Sequence, residues 1–217
     1  MLITFSGLDG AGKSTLVRLL KASLERRDMP TTVSHMYRDV GVYALGRAAL
    51  EKLSRGARSA RRAQAAAGEP SKSAMSRGLA PNVVWNKTLR TLVYPLDLLI
   101  FVLYRLYVEG MKGHILIMDR YFYDTLVDVS AGRRRRIARL LARLTPTPSV
   151  PVLLDINPRQ AFARKGEHSV NYLERKREAY KQVFPNGGRG LLLEGERDVR
   201  ENLLAVESVV SERMAGR

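Results

Sequence analysis

Three features of this 217-residue chain predict an α/β fold, a central parallel sheet of about five strands flanked by helices in a three-layer sandwich. A glycine-rich turn joins an apolar run to a helix start close to the first residue. The apolar run Ile115–Met118 is continuous, as a strand buried on both faces is, and Leu2–Phe5 and Val150–Asp155 read as further strands. These runs alternate with helical stretches, which implies crossover connections between parallel strands.

Leu2–Phe5 is the first strand. Residues 7–15 follow as Gly-Leu-Asp-Gly-Ala-Gly-Lys-Ser-Thr, the spacing G-x-x-x-x-G-K-[ST]. Gly7, Gly10 and Gly12 let the backbone curl so that consecutive N–H groups point inward at phosphate oxygens. Lys13 can reach β- and γ-phosphates, and the Ser14 hydroxyl can ligate Mg²⁺. The helix that begins at Ser14-Thr15-Leu16 adds the positive end of its dipole. The candidate nucleotide site is therefore Gly7, Asp9, Gly10, Ala11, Gly12, Lys13, Ser14 and Thr15, with ATP and Mg²⁺ as cofactors. The plainer alternative is a chance match in which the glycines only turn the chain. A strand before and a helix after argue against it, and the sandwich is read as that of the P-loop NTPases.

The remaining elements follow in order. Ser14–Arg27 is helical and ends at the Asp28-Met29-Pro30 break. Thr31–His35 is a second strand, and Leu45–Lys52 a helix. Val83–Leu92 and Leu96–Glu109 are helical stretches with Pro95 between them. Ile115–Met118 is a buried strand. Arg134–Leu144 is a basic helix stopped by Thr145-Pro146-Thr147-Pro148. Val150–Asp155 is a strand ended by Asn157-Pro158, and residues 159–171 are a short lid. Tyr172–Val183 is helical, Leu191–Leu193 a short strand, and Val199–Arg213 a closing helix. No internal repeat is visible, and residues 1–217 read as one domain.

Composition narrows the partners. The 45% apolar content is that of a globular chain, and the absence of Cys excludes a disulfide framework or a thiolate metal site. A reducing cytoplasm is the simple expectation, and a strand at the N-terminus leaves no room for a signal peptide. The longest apolar stretch, Thr91 to Val108, contains Asp97 and Arg105, which suits a half-buried helix better than a membrane span. The net charge of +16 gathers in Ser54–Ala80, a basic segment read as a mobile insertion, and in Arg133-Arg134-Arg135-Arg136 with Arg139 and Arg143. Both blocks read as solvated surface, and neither interleaves aromatics as a nucleic-acid site does.

Asp119 ends the apolar strand Ile115–Met118, where ligands bind in open α/β sheets. It can hold Mg²⁺ beside the loop, or it can cap the next helix. Arg120 can neutralise charge on a transferred phosphoryl group, or sit in a surface ion pair. Phe101 and Arg105 are four apart on one helix face, so they can stack a base and grip its phosphate, or simply pack in the core.

In combination these motifs resemble the thymidylate kinase family of nucleoside monophosphate kinases. The resemblance runs through Phe5–Thr15, Asp119-Arg120-Tyr121, Leu154-Asp155-Ile156-Asn157-Pro158 with Ala161 and Arg164, and Tyr172–Tyr180. Arg38 and Gly41 fall where that family has its acceptor-side loop. It implies transfer of the γ-phosphoryl of ATP to a nucleoside monophosphate such as dTMP, and a homodimer. It implies that Lys13 and Ser14 hold MgATP, with Asp9 near the sugar hydroxyl and the transferring phosphate. Phe101 would stack the acceptor base, while Arg105, Arg38 and Arg120 would contact its phosphate. Arg164 would come from the lid. The chain departs from the family at Ser6, where Glu is usual, and at Asp124, Thr125 and Asp128, where Asp124 and Asp128 occupy places expected to touch the acceptor. Carboxylates there suit a neutral hydroxyl acceptor, a nucleoside, sugar or other metabolite, as the alternative substrate class. A nucleic-acid-binding NTPase is the rival of a different class, and the basic blocks are all that favour it.

Overall fold

Five strands form one all-parallel sheet in the order β2-β3-β1-β4-β5: β1 (Leu2–Gly7), β2 (Thr31–His35), β3 (Ile115–Asp119), β4 (Val150–Asp155) and β5 (Leu191–Glu194). The computed structural model describes residues 1–36, 39–42, 87–130, 135–166, 168–184 and 190–216. The expected helix Leu45–Lys52, the basic segment Ser54–Ala80, and Arg38, Arg133 and Arg134 lie outside them.

The three central strands are buried along essentially their whole length, and the two edge strands are only partly buried. That is the burial their continuous apolar sequences call for. Phe5 of β1 is level with Asp119 of β3, and Gly7 with Leu154 of β4. The end of β1 therefore lies at the centre of the carboxyl edge of the sheet, where open α/β folds bind ligands.

Seven α-helices are described: α1 (Lys13–Glu25), α2 (Lys87–Arg105), α3 (Phe122–Ser130), α4 (Arg135–Leu144), α5 (Pro158–Lys165), α6 (Val170–Val183) and α7 (Val199–Ala215). Helix α1 packs on β1, β2, β3 and α7, whereas α3 packs on β1, α2, α4 and α6. Flanking helices on a parallel sheet are compatible with a three-layer sandwich.

Pro95 does not divide α2, which runs unbroken through it and ends in a π-helical turn, Leu106–Met111. Pro95 is on the exposed side, where water can take the carbonyl it frees. Tyr94, Leu98 and Phe101, all buried, anchor the helix on either side of it. No described helix is long and apolar enough to cross a membrane.

Candidate functional site

The loop after β1 has the backbone that its glycines permit. Gly7 has φ +137°, and a Cβ there would sit 2.4 Å from the Leu154 carbonyl oxygen, so no side chain fits. Gly12, at φ +93°, is the N-cap of α1, and no side chain caps that helix. The first-turn N–H groups and the positive dipole end thus face the loop.

Lys13 is buried, and its Nζ donates to the carbonyls of Gly7 at 2.9 Å and Leu8 at 2.7 Å. Burial pushes this ammonium down to about 8, against the opposing pull of Asp124, Asp9 and Asp119. The Ser14 hydroxyl donates to Asp119 Oδ2 at 2.6 Å. These two hard oxygen donors fit Mg²⁺, which keeps much of its water and takes the rest of its shell from phosphate. They do not make a closed protein cage, and among the described residues no group of three or more His, Cys, Asp or Glu side chains could hold a metal.

Arg120 has φ +72°, one of two described non-glycine residues with positive φ. Such a conformation costs ~1–3 kcal/mol and persists only where its surroundings impose it. Here the Arg120 N–H donates to the Phe5 carbonyl at 3.0 Å, and the guanidinium pairs with Asp9 inside the loop. Burial would raise the Asp9 carboxyl, but Arg120, Lys13, Lys176 and Lys165 together hold it below its usual range. Burial likewise works against the Arg120 charge, and Asp124, Asp9, Tyr180 and Asp119 outweigh it. From α5, Arg164 Nη1 reaches the Gly10 carbonyl at 3.1 Å and the Gly195 carbonyl at 3.4 Å. Three segments far apart in sequence therefore bring Lys13, Asp119 with Arg120, and Arg164 to one glycine turn. The cations surrounding Asp9 make that turn a place for a polyanion.

Two expected acceptor contacts are placed elsewhere. Phe101 is fully buried, with edge-to-face contacts to Tyr121 at 5.5 Å and Phe122 at 5.3 Å between ring centroids, so it has no free face for a base. Arg105 Nε donates to Glu109 at 2.8 Å, and Glu109 also pairs with the Met1 amino group at 3.1 Å. Met1 precedes the amino end of β1, about 20 Å from Gly7 at ~3.3 Å per residue. Phe101 and Arg105 are one helical turn apart in α2, but Arg105 is the last residue of that helix and lies towards the amino end of β1.

Asp124 is buried too. Its Oδ2 accepts from Ser6 Oγ and from the Tyr121 N–H, both at 3.1 Å, and its Oδ1 accepts from Tyr180 Oη at 2.6 Å. It is an internal carboxylate rather than an acceptor contact. Asp128 is partly exposed and pairs with Lys176 of α6 at 3.6 Å. Arg38 lies outside the described residues, as do the basic segment Ser54–Ala80 and Arg133 and Arg134 of the second block.

Sequence reasoning passes over Lys176, Tyr180 and Gly195. Gly195 follows β5, and a Cβ there would lie 3.2 Å from the Ala11 carbonyl, so this turn closes against the loop. Its signal is a glycine one residue beyond the short apolar run Leu191–Leu193. Asp124 also carries a legible signal, an acid three residues into a helix that bonds back to the N–H at its start. Comparison with protein-family models and with curated proteins gives no match.

Proposed function

We propose that the chain is a P-loop phosphotransferase that moves the γ-phosphoryl group of ATP to a small-molecule acceptor. The observation that supports it is the convergence of Lys13, Ser14 with Asp119, Arg120 and Arg164 on one glycine turn. The bond from the γ-phosphorus to the departing ADP oxygen breaks as a bond forms to the acceptor oxygen. Lys13, Arg120 and Arg164 neutralise charge on the transferring group, and positioning does the rest. Ser14 and Asp119 would hold Mg²⁺, which would supply further charge neutralisation on the phosphate oxygens.

Resemblance to the thymidylate kinase family makes a nucleoside monophosphate the first acceptor to test. Its phosphate is already a competent nucleophile, so no strong base is required. The positions of Phe101 and Arg105 favour a second reading, an acceptor with a neutral hydroxyl, for which Asp9 is the carboxylate in the loop able to take the proton. A coupled ADP-release screen over dTMP, other monophosphates, nucleosides and sugars separates the two. Turnover confined to monophosphates supports the first, and turnover confined to unphosphorylated alcohols supports the second. ADP release with none of them, at any Mg²⁺ concentration, contradicts both.

The proposal includes a second copy of the chain. Helix α2 exposes Leu96, Leu99 and Leu103, and the π-helical turn that continues it exposes Leu106, each 49–62% accessible, at the 3-4-3 spacing of a helix that packs along another helix.

A further inference from the structure

We propose that Asp124 is a positioning residue, which sets Arg120 against the glycine loop and ties it to helix α6. The inference rests on the phosphotransfer reading and adds a residue whose part in it is indirect.

Asp124 joins three separate elements through neutral donors: Ser6 on β1, Tyr121 at the β3–α3 turn, and Tyr180 on α6. Removing a carboxylate from water is expensive, and three neutral hydrogen bonds satisfy its oxygens without cancelling its charge. That charge is felt by the cations of the site. Among the charged groups acting on Arg120 and on Lys13, Asp124 is the strongest for each.

Geometry gives the connection its direction. The left-handed Arg120 is pinned on one side by its own N–H on the Phe5 carbonyl, and on the other by the Tyr121 N–H on Asp124. This bend sends the guanidinium to Asp9 in the loop. Without the second anchor, residue 120 is free to relax to negative φ and carry its side chain away. Tyr180 holds the other carboxylate oxygen from α6, the helix that follows the Arg164-bearing α5. One buried carboxylate thus fixes Arg120 relative to the helix pair that supplies Arg164.

The test uses MgADP with and without aluminium fluoride, which stands in for the transferring phosphoryl group and needs no identified acceptor. In the wild type the fluoride should tighten MgADP binding. Asp124→Asn should keep MgADP affinity within about twofold and lose about tenfold of the fluoride-dependent tightening, the size expected of one charge-assisted interaction. Arg120→Met should lose the same tightening, and adding Asp124→Asn to it should change nothing further, since residues that act through one another do not add. Unchanged tightening in Asp124→Asn, equal loss with and without fluoride, or multiplicative effects in the double variant each overturn the proposal. If Asp124→Asn does not fold, Tyr180→Phe and Ser6→Ala each remove one donor and should show the same selective loss, smaller in size; equal loss in both states again overturns it. A wild-type protein that binds no MgADP defeats the phosphotransfer reading itself, and this inference with it.

Discussion

Raising the pH should weaken nucleotide binding through Lys13. In the free protein burial holds this ammonium at about 8, against 10.5 for an ordinary lysine, with the Gly7 and Leu8 carbonyls accepting its protons. A polyphosphate in the loop supplies the missing anion and returns the group to its ordinary range or above. Binding therefore takes up about half a proton at pH 8 and about 0.9 at pH 9, and affinity falls about 15-fold between pH 8 and 9.5. Calorimetric titration of MgATP in two buffers of different ionisation enthalpy reads the proton count directly. Fold stability runs the other way. The unfolded chain holds the extra proton between about 8 and 10.5, so the contribution of Lys13 to stability rises with pH across that window. Lys13→Met titrates nowhere and sets the baseline for the stability measurement. Flat affinity from pH 7 to 9.5, or binding without proton uptake, refutes the reasoning.

Gly7→Ala should destabilise the fold by ~3 kcal/mol or more in chemical denaturation, because its Cβ meets the Leu154 carbonyl at 2.4 Å and φ is +137°; an unchanged midpoint contradicts that close approach. Phe101→Ala should cost ~3–5 kcal/mol as a core cavity, while Phe101→Leu should leave MgATP affinity and turnover nearly unchanged; selective loss of turnover in the leucine variant returns Phe101 to the acceptor site. Arg105→Ala should cost no more than about 1 kcal/mol and leave turnover intact, as a partly exposed pair does, measured by thermal melting beside the ADP-release assay. Leu99→Glu with Leu103→Glu should convert a dimer to a monomer in sedimentation velocity; a wild type that sediments as a monomer removes the second copy from the account.

Much of the fold was legible because burial on both faces leaves a mark that no local turn imitates. Ile115–Met118 and Val150–Asp155 are apolar without alternation, and both are central strands. The glycine loop was legible because Gly7, Gly10 and Gly12 all take positive φ, a local demand that glycine meets, although the close approach of Gly7 to Leu154 is not visible in the sequence. Other features depend on distant partners. Pro95 is a helix breaker by propensity, yet α2 continues because Tyr94 and Phe101 are held in the core. Helix α5 carries its own start signal, with Asn157 as cap and Pro158 in the first turn, although the segment reads first as a lid. Helical spacing puts Phe101 and Arg105 on one face but says nothing about which end of the sheet they reach. The burial of Asp124 depends on Ser6 and Tyr180, which lie 118 and 56 residues away.

Titration of MgATP into the wild type and Lys13→Met bears most directly on the central claim, that the glycine turn grips a nucleoside triphosphate. The wild type should bind saturably, and Lys13→Met should lose that binding while its circular dichroism and melting remain those of a folded protein. Equal affinity in the two proteins, or no binding by the wild type, contradicts it.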